Sequence, residues 1–112
     1  APTPAGLIAE VTARFVAQPV PGLYHLAPAG ETSWFGYAQL LVEEAIAAGA
    51  ALRLSPAGIR PIAARDYPTR AKRPLNSRLD TRKLRQTLGI SLPAWQEGVR
   101  QLIKTLRAEG EL

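Results

Sequence analysis

Apolar residues recur at helical spacing in four stretches of the chain. Leu7, Ile8, Val11 and Phe15 form one stripe within Thr3–Gln18. Pro4 suits the first helical position there with Thr3 as cap, and Pro19, Pro21 and Gly22 stop the element. Trp34, Tyr37, Ala38, Leu41, Ala45 and Ile46 form a second stripe, which Gly49 ends. It is opened by the Gly30–Ser33 turn, with Thr32 or Ser33 as N-cap. Thr81–Leu88 reads as a two-turn helix: Asp80 is a good N-cap, and Leu79 and Leu84 stand at the spacing of a hydrophobic staple. Gly89 supplies a left-handed residue to end it, with Ile90 folding back on the last turn. In the last stripe Trp95, Val99, Leu102, Ile103 and Leu106 predict a buried face, with Pro93 at the first helical position and Gly110 past the end.

The strand signals are short. Leu23–Ala27 is an apolar run between Gly22 and Pro28, a candidate buried strand, and Ala51–Leu54 is a second candidate. Ser55–Ala71 is punctuated by Pro and Gly and reads as extended loop, with at most one short pairing near Ile59–Ala63. A five-residue strand is not a sheet and must pair with something; an edge left open could pair with another copy of the chain, as in a homodimer. The expected fold is therefore an α/β fragment, mostly helical, with about four helices and one to three short strands. His25, the single histidine, reads as a packed or partly exposed strand residue, because no second metal-type ligand or acid–base partner stands near it in sequence.

Charge changes the picture in one place. The chain of 112 residues has ordinary globular composition, 46% hydrophobic and 21% charged, and a net charge of +5. That length allows one small domain or a piece of a larger protein. A first residue of Ala and the lack of any Met predict a piece excised from a longer reading frame. Nine Lys and Arg stand against two acids between Arg60 and Arg85, which favours an anionic partner. Within that stretch Pro68 and Pro74 hold Arg70, Lys72, Arg73 and Arg78 in a loop. An Arg beside a Pro, followed by Asn76 and Ser77, offers a guanidinium fork and short polar donors to an anion. No cysteine is present, which permits a cytoplasmic setting. No apolar run is long enough for a membrane span, and no signal-peptide pattern is seen.

Three blocks of residues, in order and nearly end to end, resemble one family. RPLNSRLDTRKLRQTLGISLPAWQEGVRQLI is similar to the C-terminal segment of dTDP-4-dehydrorhamnose reductases, of the extended short-chain dehydrogenase/reductase superfamily. GLYHLAPAGETSWFGYAQLLVEEA resembles the strand, turn and helix before that segment, and APTPAGLIAEVTARFV the helix before the strand. The resemblance implies that residues 1–112 are the C-terminal, sugar-nucleotide-binding portion of an NAD(P)-binding Rossmann-like reductase whose N-terminal dinucleotide-binding domain is absent. It implies reduction of a dTDP-4-dehydro sugar with NADPH or NADH in the full-length enzyme, with neither cofactor bound by this piece. It places Arg73, in an Arg-Pro motif, at the substrate diphosphate. Asn76 would meet ribose or base, by analogy only since the superfamily often has Asp there, with Ser77 and Lys72 as further substrate-binding candidates. Gly30, Glu31, Thr32 and Ser33 match the family's strand-to-helix turn and read as structural.

The catalytic parts of such a reductase are not in the chain. Tyr24, Tyr37 and Tyr67 are followed four residues later by Pro28, Leu41 and Ala71, so no Tyr-x-x-x-Lys pair exists, and no two glycines are two or three residues apart as a dinucleotide-binding turn requires. Glu43 and Glu44, adjacent on a helix, point apart. No catalytic or metal-binding residue is assigned, and the isolated piece is expected to be inactive. Two other classes stay open. One is a non-catalytic interaction module, since the regulatory subunit of methionine adenosyltransferase shares the superfamily pattern. The other is a basic nucleic-acid-binding helical domain, the weaker fit because aromatics do not interleave with the basic run.

Overall fold

The computed structural model describes every residue from Ala1 to Leu112. Four α-helices form: α1, Ala5–Ala17; α2, Trp34–Ala47; α3, Arg82–Leu88; and α4, Trp95–Ala108. Single 3-10 turns at Pro56–Gly58 and Ala64–Asp66 interrupt the long connection between α2 and α3. The four-helix reading of the periodicity therefore holds. The core is the seam where α2 lies along α4: Val42 and Ala45 face Trp95, Val99 and Ile103 across it, all buried. Arg100 of α4 reaches over the rim of this seam, its Nε donating to Glu44 Oε1 of α2 at 2.9 Å. That bond and the adjacent carboxylate charge hold the Arg100 guanidinium more firmly protonated than usual.

The expected strands are not formed. Leu23–Ala27 is extended but pairs with nothing, and Leu23 is 74% exposed. Neither Ala51–Leu54 nor Ile59–Ala63 pairs either. A strand is defined by its neighbour, and the chain supplies a neighbour at one point only. Ala29 forms an isolated parallel bridge with Ala94, its N–H donating to Pro93 O at 2.8 Å and its carbonyl accepting from Trp95 N at 3.1 Å. The bridge also corrects the start of α4. Pro93 and Ala94 are kept extended to meet Ala29, so the helix begins at Trp95 and Pro93 lies outside it.

Two other helix starts shift for local reasons. Pro4 is the N-cap of α1 and not its first helical residue; its carbonyl accepts from Leu7 and Ile8, while the Thr3 hydroxyl turns back to Ala1 O. Thr81 takes the cap position of α3. Asp80, one residue earlier, still serves the first turn, accepting from Arg82 N at 3.0 Å, and the Arg82 guanidinium clamps the same carboxylate. Ser33 caps α2 as expected, accepting from Gly36 N at 3.1 Å. α2, α3 and α4 end on Gly49, Gly89 and Gly110 as the sequence predicts, each with a backbone N–H just beyond the glycine returning to the helix's last turn.

Much apolar surface is uncovered. Trp34 is 85% exposed, so it is not a core aromatic, and Leu102 and Ile46, expected on buried faces, are half exposed. The chain exposes 8622 Å², where a compact monomer of its mass exposes about 6,000 Å². Its radius of gyration is 16.7 Å, against about 13 Å for a compact chain of this length. The helical stripes are thus wider than the core that this chain makes for them.

Candidate functional site

The basic loop between the second 3-10 turn and α3 carries all four sequence-predicted site residues. Pro68 and Pro74 lack N–H donors, and no backbone–backbone hydrogen bond begins or ends within residues 68–80. Side chains hold this loop. Thr69 donates to Ala71 O at 2.8 Å, and Asn76 Oδ1 accepts from both Arg78 N and Arg78 Nε, at 3.1 and 3.0 Å. A single polar tie joins residues 68–79 to the body: Arg78 Nη1 is ion-paired with Glu31 in the turn before α2. Lys72, Arg73 and Ser77 are exposed and make no side-chain hydrogen bond or ion pair, and Arg70 makes none either. The loop therefore presents three unneutralised cations to solvent.

Two clefts flank the base of this loop. The first, of about 410 Å³, is lined by Pro28, Ala29, Gly30, Leu79, Arg85 and Ile90 among others. Gly30 forms its wall with φ +89°, and a Cβ there would stand 3.1 Å from Trp95 Cδ1. Both the left-handed backbone and the tight approach require glycine at this position. Arg85 enters this cleft with its Nε donating to Thr81 Oγ1 at 3.1 Å and with no carboxylate partner. The second, of about 400 Å³, is lined by polar residues alone: His25, Asp80, Arg82, Lys83, Gln86 and Thr87. Its cations are engaged: Arg82 by Asp80, whose carboxyl is lowered to about 2 chiefly by that side-chain hydrogen bond, and Lys83 by Leu23 O at 3.0 Å and the Tyr24 ring. His25 is exposed on this lining and lies in no strand, so only the exposed part of the strand-residue reading holds.

The structure thus gathers Lys72, Arg73, Asn76 and Ser77 on one exposed loop, and none of the four lines either cleft. The sequence reading took Glu31 only as part of a structural turn and passed over Arg85. The signal for Glu31 was present: it is the single acid between Glu10 and Glu43, and so the natural counter-ion for a basic loop. The partner that it selects lies 47 residues away, which spacing does not reveal.

Comparison with known proteins decides the family. A family model described as the RmlD substrate binding domain matches residues 1–108. The chain belongs to the RmlD substrate binding domain family. It is 44% identical to the dTDP-4-dehydrorhamnose reductase of Escherichia coli (strain K12) over 111 residues, 95% of this chain and 36% of that protein. The similarly named protein of Sinorhizobium fredii is 40% identical over 80% of the chain and 29% of its own length. That of Burkholderia thailandensis is 36% identical over 97% of the chain and 40% of its own length. The chain spans about a third of the length of the curated relatives it matches. As an RmlD substrate binding domain it is mostly helical, and no helix is long and apolar enough to cross a membrane.

Proposed function

We propose that this chain is the sugar-nucleotide-binding portion of a cytoplasmic reductase that acts on dTDP-4-dehydrorhamnose. One observation carries the reading: the substrate-binding family match runs over residues 1–108, nearly the whole chain. The physical form agrees with it. The chain exposes about 2,600 Å² more than a compact monomer of its size, on top of an apolar surface that includes Trp34, Leu23 and Val16. Such surface is what a domain that packs against the rest of a longer polypeptide presents. In this reading residues 1–112 are one C-terminal unit and a dinucleotide-binding domain precedes them.

NADPH or NADH belongs to that other part. The residues present do not fit a nicotinamide dinucleotide: the chain has no glycine-rich turn, and neither cleft offers a strand leading into a helix N-terminus. What this chain does is bind and orient. Arg73, without a carboxylate of its own, forks the diphosphate, and Lys72 adds charge. Asn76 and Ser77 supply polar contacts to the nucleoside. Binding energy collected at the nucleotide end holds the sugar ketone in place for chemistry done by other residues.

The test is dTDP affinity in the parent and in Arg73→Ala, with Arg53→Ala as a charge-matched control outside the loop. The reading requires a loss of about tenfold or more for Arg73→Ala, the worth of a charge-assisted hydrogen-bond pair, and little change for the control. Equal losses in both would mean that net charge, not a fork at Arg73, draws the ligand.

A further inference from the structure

The loop is fixed to the body at one polar point, and that point also sets the chemistry that Asn76 offers. Arg78 is the hub. Its Nη1 holds Glu31, while its Nε and its backbone N–H both donate to Asn76 Oδ1, at 3.0 and 3.1 Å. Two donors converging on one atom require that atom to be the amide oxygen, because an amide nitrogen does not accept. Asn76 therefore has its acceptor occupied, and its two Nδ2 hydrogens make no bond within the chain.

We infer that Glu31, acting through Arg78, is a positioning residue for the substrate loop, and that Arg78 holds Asn76 as a donor-only group for an acceptor oxygen of the ligand. The inference rests on the substrate-loop reading above and deepens it by naming the ligand atoms that Asn76 takes: a phosphoryl oxygen or a pyrimidine carbonyl, not a sugar hydroxyl acting as donor. The physical case for Glu31 is the shortage of alternatives. With no backbone hydrogen bond in residues 68–80, loss of the ion pair leaves the loop without a polar tie to the body, and Arg73 and Asn76 then spread over more arrangements. Ordering them on binding lowers affinity.

The experiment measures dTDP binding by calorimetry on the full-length polypeptide that carries this chain. The forms compared are the parent, Arg73→Ala, Glu31→Gln, Asn76→Ala, Asn76→Asp and the double variant Glu31→Gln/Asn76→Ala. Glu31→Gln is expected to weaken binding about twofold to fivefold, the range of an exposed ion pair. In the Asn76→Ala background the same change is expected to have a smaller effect, because part of its action passes through Asn76. Asn76→Asp keeps the acceptor for Arg78 but has no donors, so it is expected to bind more weakly than Asn76→Ala. A ligand-free readout accompanies these: the Arg78 Nε–H signal is expected to broaden in Glu31→Gln relative to the parent. Repeating the Asn76 variants with inorganic pyrophosphate separates the two acceptors, since loss there marks a phosphoryl contact and loss with dTDP alone a base carbonyl.

If Arg73→Ala weakens binding while Glu31→Gln does not, the substrate-loop reading stands and the positioning role is refuted. Full additivity of Glu31→Gln and Asn76→Ala refutes it equally, and parent-like binding by Asn76→Asp overturns the donor-only assignment. Absence of dTDP binding in the parent, or indifference to Arg73→Ala, removes the reading and the inference together.

Discussion

Leu84 is the place where the fold is most exposed to a single change. It is 2% exposed, the largest fully buried side chain, and it sits in the seven-residue α3 directly after the basic loop. A helix that short has no stability of its own in water, so α3 is held by what Leu84 packs into. Truncating a buried Leu to Ala costs about 2–5 kcal/mol, and little collapse is available at a site this tightly closed. For a domain near this size each kcal/mol moves the melting temperature by roughly 4–8 °C. Leu84→Ala is therefore expected to lower the melting midpoint by about 10 °C or more. Leu102→Ala serves as the matched control: the same chemistry at a side chain 44% exposed is expected to cost under about 1 kcal/mol. Urea titration of both variants, with hydrogen exchange of the α3 amides, reads the result. Exchange should accelerate in α3 first and in the α2–α4 seam least. Equal midpoints for the two variants would refute the argument, since burial would then not be what distinguishes them.

Three further outcomes follow from the same geometry. Gly98→Ala places a Cβ 2.5 Å from Pro4 Cγ, so despite a helix-propensity gain of about 1 kcal/mol it should destabilise by displacing the start of α1; thermal melts of Gly98→Ala with and without Pro4→Ala check this, the second change restoring the gain. The Asp80 carboxyl, lowered to about 2 by its hydrogen bonds to Arg82, contributes stability that is complete above the ordinary value of 3.8 and is lost as pH falls from there through about 2. A carbon-detected NMR titration should place its midpoint there, and Asp80→Asn should remove that part of the acid dependence. Trp34 and Trp95 should quench as two populations, one open and one protected; Trp34→Phe should remove the open one, and a uniform response to acrylamide would contradict the exposure assigned to them.

The helices were legible because each carries its own stripe and its own stop signal. Gly49, Gly89 and Gly110 end their helices where the residue type demands. Starts were less legible, because tertiary contacts override local preference: Pro93 is drawn out of α4 by a backbone bond to Ala29. The strands were not recoverable, since Leu23–Ala27 has the right composition but the chain provides no neighbour. Periodicity also cannot tell a stripe covered by this chain from one left bare, which is why Leu102 was expected inside and is outside, and why Trp34, read as a core or domain-interface aromatic, is not in this core. Proline and arginine spacing marked the loop that carries Arg73 and Asn76, and the structure leaves it exposed and free of backbone pairing. The tie that seats it, Glu31 to Arg78, joins residues with no sequence pattern between them.

The most direct test of the central claim is where dTDP touches this chain. Residues 1–112 can be isotope-labelled within the full-length polypeptide and dTDP added while amide and side-chain signals are followed. Saturable shifts concentrated in residues 70–78 are expected, with Arg73 and Asn76 foremost and weaker movement at Glu31. Shifts centred instead on the His25–Lys83 basin, or on the cleft between Gly30 and Arg85 with the loop unmoved, would contradict that claim.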